Sequence, residues 1–206
     1  MKKKTAALLL ALVLVFGMAV GGTIAYLTSN DTVVNTFTVG SVAITLDETD
    51  VDNDDNTDDN VTVNGVVRDK ENGYKLMPGH EYVKDPIVHV DAASEDCYLF
   101  VKVVDEIADI QDEQTVATQM AEKGWKAVSG VANTFVYVGT TEVPVAVKAG
   151  DDITVFDKFT IKGDVDNKTL ADYENKTIKV TAYAVQADGF DGKTADYIWD
   201  TAFAGA

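Results

Sequence analysis

Cysteine occurs once in this 206-residue chain, histidine twice and proline three times, and acidic residues outnumber basic ones by 34 to 17. A single thiol allows no intrachain disulfide framework, so the fold must rest on core burial. Cys97 sits in the apolar run Cys97-Tyr98-Leu99-Phe100-Val101 and reads as a buried, inert thiol rather than a nucleophile. With only His80 and His89, no His-Glu-x-x-His zinc helix can form. His80 stands in a Pro-Gly turn and His89 at alternating spacing in a strand, so both are expected to face solvent and neither to bind a metal. No Gly-x-Ser-x-Gly elbow, Walker loop or Gly-x-Gly-x-x-Gly fingerprint is present. The neighbouring acids Asp105 and Glu106 would point to opposite faces of a strand and cannot share one substrate as a carboxylate pair. The chain is therefore read as a non-enzyme, with no catalytic residue and no cofactor. The shortage of positive charge excludes nucleic acid as a partner and a polybasic membrane contact.

Most of what positive charge there is at the start of the chain is packed into Lys2, Lys3 and Lys4, ahead of an uncharged stretch from Thr5 to Val20. Gly21-Gly22-Thr23-Ile24-Ala25 follows, and Thr23 and Ala25 stand in the small-x-small arrangement a signal peptidase accepts, with Tyr26 next. The apolar run is about 16 residues, short of the ~20 that span a bilayer, which favours a cleavable leader over the alternative of a retained anchor. Removal of residues 1–25 leaves 14 basic against 34 acidic residues, a formal charge of −20. This suits a soluble extracellular protein, free of the membrane after cleavage.

The remaining chain reads as one domain dominated by β-structure. Val- and Thr-rich runs predict strands at Thr32–Val39, Ser41–Leu46, Ile87–Val90, Tyr98–Val104, Thr134–Val138, Val143–Val147, Ile153–Ile161 and Ile178–Gln186. Asn64-Gly65 within Val61–Val67 predicts a hairpin with a type I′ turn. Pro78-Gly79 predicts a tight turn leading to the strand at Ile87–Val90. One short inserted helix is expected over Glu113–Lys123, with Gly124 as its stop, and a helical turn at Thr169–Tyr173. The expected architecture is all-β, a β-sandwich of jelly-roll type.

One segment departs from the pattern. Asp47–Asp59 holds eight acidic residues in thirteen and is expected to be a mobile loop between strands. Asp50, Asp52 and Asp54 alternate as calcium ligands do, but Asp55 and Val61 stand where an EF-hand requires Gly and Glu. A solvated loop that binds calcium weakly at most is the expectation, and no metal site is assigned.

Gly21-Gly22-Thr23-Ile24-Ala25-Tyr26 followed by Asn35-Thr36-Phe37-Thr38-Val39-Gly40-Ser41-Val42 resembles the start of the TasA/camelysin family of bacterial proteins, which are processed by the specialised signal peptidase SipW. Leu76-Met77-Pro78-Gly79, with Lys84-Asp85 behind it, resembles a turn of that family, and Ala184–Phe190 with Trp199 following resembles its C-terminal strand. Residues between Asp105 and Lys168 carry no part of the resemblance. The metalloprotease label of camelysin is not carried over, because no zinc motif is present. The resemblance implies a jelly-roll domain, here residues 40–206, that assembles into extracellular fibres of the biofilm matrix. It implies a SipW-type peptidase as processing partner and further copies of the same chain as assembly partners. Residues 26–39 are then either a donor strand that completes a neighbour's sheet, through Leu27, Val33, Val34 and Phe37, or the domain's own first strand. The function expected is a secreted structural subunit of the matrix or cell surface. The alternative is a monomeric surface adhesin or ligand-binding β-sandwich module.

Cleavage is predicted after Ala25, leaving Tyr26 as the new N-terminus. N-terminal sequencing of exported protein checks this; an intact Met1, or a start beyond Thr32, overturns it.

Overall fold

The computed structural model describes residues 40–52, 61–63 and 65–205. The expected strand at Thr32–Val39 lies outside these residues. Eleven strands occur among them, all paired antiparallel: β1 Ile44–Thr49, β2 Val61–Val63, β3 Val66–Asp69, β4 Glu81–Val83, β5 Ile87–Val90, β6 Cys97–Asp105, β7 Trp125–Ala127, β8 Thr134–Tyr137, β9 Asp152–Thr154, β10 Lys158–Thr160 and β11 Ile178–Gln186. They form a five-stranded sheet in the order β2-β3-β1-β5-β9, a four-stranded sheet in the order β11-β6-β8-β7, and a two-stranded ribbon of β10 and β4.

Alternation along the strands explains how the sheets meet. Ile44 and Leu46 of β1 and Val88 and Val90 of β5 share one face of the larger sheet. They join Leu99, Val101 and Val103 of β6 and Val180, Ala182 and Ala184 of β11 in a single apolar core. The ribbon adds Tyr82 and Phe159, whose rings stack at 5.0 Å, with Tyr74 edge-on to Phe159 at 5.3 Å.

The opposite residues of β6 are buried as well. Tyr98 and Phe100 face a second cluster with Ile198 and Trp199 of the helix α3, Ala195–Ala202. Trp199 lies 5.6 Å from Phe100 and 5.1 Å from Tyr183 of β11, ring centre to ring centre. Two other short α-helices and a 3-10 turn at Ala108–Ile110 occur among the described residues. α1 spans Val116–Glu122, capped by Thr115 Oγ1, which accepts from the Thr118 N–H at 3.2 Å. α2 spans Asn167–Ala171, capped by Asp166, whose carboxylate accepts from the Thr169 N–H at 2.7 Å.

Antiparallel β-structure is thus the dominant element, as the composition implies. Several local expectations need correction. Among the described residues three α-helices stand where one helix and one helical turn are expected: α1 and α2 answer to these, and α3 carries no expectation because its eight residues acquire their apolar face only against the outer side of β6. Val143–Val147 is not a strand; only Val147 bridges, to Cys97. Ile153–Ile161 is divided into β9 and β10, which belong to different sheets. β1 begins three residues later than expected and continues through Asp47-Glu48-Thr49, the first part of the presumed mobile loop. Its acids stay ordered because a buried arginine and a buried lysine meet them.

The hairpin of β2 and β3 is present, with Gly65 at φ +83°; Asn64 lies outside the described residues. Pro78-Gly79 also makes a turn, closed by the His80 N–H donating to the Met77 carbonyl at 3.2 Å, with Gly79 at φ +72°. It leads into β4, however, and not directly into β5.

Two glycines separate backbone strain from crowding. A Cβ on Gly79 would meet nothing nearer than Gly163 Cα at 3.7 Å, whereas one on Gly124, at φ +86°, would lie 2.6 Å from the Gly139 carbonyl oxygen. Gly79→Ala should cost about 1 kcal/mol, from the left-handed backbone alone. Gly124→Ala should cost about 3 kcal/mol or more, because backbone must also move. Denaturant unfolding of both variants checks the difference; equal losses would contradict it.

Candidate functional site

The four-stranded sheet ends in an unusual edge. β11 is nine residues long and pairs along its whole length with β6, from Ile178 opposite Asp105 to Gln186 opposite Cys97. Among the described residues no strand pairs with its other side. Among the described residues the other edge strands, β2, β7, β9 and the ribbon's β4 and β10, are three residues each. At ~3.4 Å per residue, β11 offers about 30 Å of backbone N–H and C=O groups to an added strand.

Edge strands are ordinarily blunted by shortness, proline, bulges or several charges. β11 carries one charge, Lys179, and packs apolar side chains on both faces: Val180, Ala182 and Ala184 inward, Tyr183 and Val185 toward α3. Both its ends are fastened. At the start, Glu106 accepts from the Thr177 N–H at 2.9 Å and from Thr177 Oγ1 at 3.0 Å, while its own N–H donates to the Thr177 carbonyl at 3.0 Å. Those hydrogen bonds, with a lesser contribution from Lys176, hold the Glu106 carboxyl below its usual range. At the far end the Ala187 N–H donates to the Asp96 carbonyl at 2.8 Å. The edge is therefore held in the extended form an incoming strand requires.

On the outer face of the other sheet an ion network crosses four strands. Its centre is Arg68 of β3, the one arginine of the chain. The guanidinium has five N–H groups, and all five find acceptors. Nε donates to the Asp47 carboxylate. Nη1 donates to Asp85 Oδ2 at 3.1 Å and to Thr49 Oγ1 at 3.3 Å. Nη2 donates to the carbonyls of Asp47 at 3.2 Å and Asp85 at 3.0 Å. Asp85 in turn accepts from the Thr49 N–H at 2.7 Å and from Thr49 Oγ1 at 2.9 Å. His89 of β5 extends the network, with Nε2 3.1 Å from Asp47 and Nδ1 2.6 Å from Asp152 of β9. His89 is thus half-buried between two carboxylates and not solvent-facing, which corrects the sequence reading. Single-sequence alternation could not reveal this, because Asp47 and Asp152 are 42 and 63 residues away along the chain.

The other residues singled out from the sequence are dispersed. His80 is exposed in its turn, with its ring 6.1 Å from that of Tyr82. Cys97 is fully buried, and burial pushes its thiol up to about 11, as an inert core cysteine requires. Asp105 accepts from the Ile107 N–H at 3.1 Å and from Gln111 Nε2 at 2.8 Å, while Glu106 turns to Thr177, so the two acids hold different loops. The Asp50 N–H bonds the Val67 carbonyl at 3.0 Å and the Asp52 carboxylate accepts from the Gly73 N–H. Asp54, the cleavage residues Thr23, Ala25 and Tyr26, and the assembly candidates Leu27, Val33, Val34 and Phe37 lie outside the described residues. Among the described residues no helix is long and apolar enough to cross a membrane. No protein-family model, curated protein or solved structure matches the chain.

The His89 geometry has a definite pH signature. Burial alone would lower its pKa, but hydrogen bonds with Asp152 and Asp47, and their charges, raise it above the ordinary 6.5. A raised folded-state pKa adds stability that is fully present below about pH 6.5 and is lost as pH rises through the higher folded value. His89→Gln should abolish that part of the pH dependence, and salt should weaken it, since Asp152 is mostly exposed. Unfolding midpoints from pH 5 to 9 (roughly the range over which histidine titrates) check this; parallel wild-type and variant curves would contradict it.

Proposed function

We propose that this chain is a secreted structural subunit of bacterial extracellular matrix fibres, a jelly-roll β-sandwich of TasA/camelysin type without catalytic activity. Cleavage after Ala25 by a SipW-type signal peptidase frees residues 26–39 at the N-terminus, and that segment of one copy adds as a strand to a sheet edge of the next. The observation that supports this most is the long, nearly uncharged and end-fastened edge of β11. Fourteen extended residues span about 45 Å, enough to cover its whole length. A head-to-tail contact of this kind does not close, so it propagates as a filament.

The energetics are consistent. Each backbone hydrogen bond gained contributes ~0.5–1.5 kcal/mol net, and full burial of Leu27, Val33, Val34 and Phe37 adds ~1.5–3 kcal/mol apiece. Ordering the segment costs ~1–2 kcal/mol per residue, and subunits of charge −20 repel one another. Salt and lower pH should therefore promote assembly. A monomeric ligand-binding module is the second reading; a cavity of about 1330 Å³ beside β1 favours it.

The test compares protein beginning at Tyr26 with protein beginning at Gly40, by light scattering and electron microscopy across salt concentrations. The longer form is expected to grow fibres and the shorter to stay monomeric, and free peptide of residues 26–39 should cap growth. If both forms stay monomeric, or both polymerise alike, the reading fails.

A further inference from the structure

Three side chains of different chemistry meet at the end of β1. Lys84 follows β4 directly and is buried, and its Nζ donates to both oxygens of the buried Glu48 carboxylate, at 2.9 Å to Oε1 and 2.6 Å to Oε2. Asn72, in the stretch after β3, donates from Nδ2 to the same Oε1 at 3.0 Å. An amine and a primary amide thus share one carboxylate oxygen. The amide is held at its other positions as well. Nδ2 also donates to the Thr49 carbonyl at 3.0 Å, and Oδ1 accepts from the Val51 N–H at 2.8 Å. The Tyr74 ring, 5.8 Å from Lys84 Nζ, covers one side of the group.

These are the parts that an exchange of amides requires. A lysine amine is a nucleophile once it has given up a proton. A carboxylate in contact with it is the base. The amide carbon is the electrophile, and a backbone N–H on its oxygen stabilises the negative charge that develops there. Burial supplies a driving force, because an ammonium and a carboxylate out of water carry a desolvation cost that neutral products escape.

We propose that Lys84 and Asn72 become joined by an isopeptide bond that the folded chain forms by itself. Glu48 takes one proton from the Lys84 ammonium, and the freed amine attacks Asn72 Cγ, with the oxyanion on Oδ1 resting on the Val51 N–H. Glu48 hands that proton to Nδ2 and takes a second from Nζ. The Nζ–Cγ bond has then formed, the Cγ–Nδ2 bond breaks, and Nδ2 departs as ammonia. The third proton stays on the new amide nitrogen. A buried ion pair has become a neutral amide beside a neutral acid, with no oxidant or cofactor consumed. Asn72 is half-buried, which gives the ammonia a route to solvent. Asp69, opposite Glu48 across β1 and β3, is the rival acceptor. Its carboxylate, which accepts from the Lys70 N–H at 2.5 Å, resists attack by an amine as an amide does not. The link closes residues 72–84 into a covalent loop that restricts the unfolded chain as a disulfide does, in a protein whose single cysteine allows none. It forms within one copy and is independent of fibre assembly.

Mass spectrometry of the denatured full chain decides it. The wild type should be lighter than its sequence by one ammonia. A tryptic digest should contain Glu71–Lys75 and the peptide beginning at Leu76 as one branched species, uncut after Lys84. Lys84→Arg and Glu48→Gln should each have the full mass of their sequences. Should either variant fail to fold, the branched peptide of the wild type still decides. A wild type of full mass, loss of water in place of ammonia (which would put the link on Asp69), ammonia loss that persists in Lys84→Arg, or a complete link in folded Glu48→Gln would each overturn the proposal.

Discussion

Strand β6 buries both of its faces, and the rest of the molecule is arranged around that constraint. Cys97, Leu99, Val101 and Val103 enter the core shared with the five-stranded sheet, while Tyr98 and Phe100 enter the cluster beneath α3. A one-residue slip against β8 or β11 would exchange these two sets, putting large aromatics into the space shaped for valines. Register is therefore pinned from both sides. Removing Phe100 would leave a cavity under Trp199, a change of the kind that costs about 3–5 kcal/mol. The helix α3 exists as a layer because this outer face is apolar and needs a cover.

The larger sheet meets a different difficulty, since its central strand carries acids where a strand packed against a core would carry valine. Asp47 points outward to Arg68 and His89, and Glu48 inward to Lys84, which also lies 5.8 Å above the ring of Tyr74. Buried pairs of this kind need every lone pair and proton satisfied to avoid a net loss. Arg68 meets that condition with its five donors; the inner carboxylate pair does so only in part, through Glu48.

The two sheets also differ in how they end. The larger sheet stops at three-residue strands, which give an incoming chain little to pair with. The smaller stops at β11, fastened at both ends by Glu106 and Asp96 and left long on its open side among the described residues. A rigid edge lowers the entropy lost when a strand is added, while the acidic surface opposes close approach of two copies. In the proposed assembly, ionic conditions would act on the same step as the edge itself.

The sequence by itself determined the element type and several elements outright. β5 and β11 fall where alternation placed them, Gly65 and Gly79 take the positive φ their turns require, and Cys97 is buried as its apolar neighbours imply. These features depend on residues close together along the chain. Only the tertiary structure decided the rest. The division of Ile153–Ile161 between two sheets, the helix α3, and the ordering of Asp47 and Glu48 each depend on partners dozens of residues away. Arg68 carries no local sequence signal of its role, since its partners Asp47 and Asp85 are 21 and 17 residues away. Which carboxylates it holds, and that Glu48 stands opposite Asp69, follows from strand register, and register is set by packing across the core rather than by local pattern.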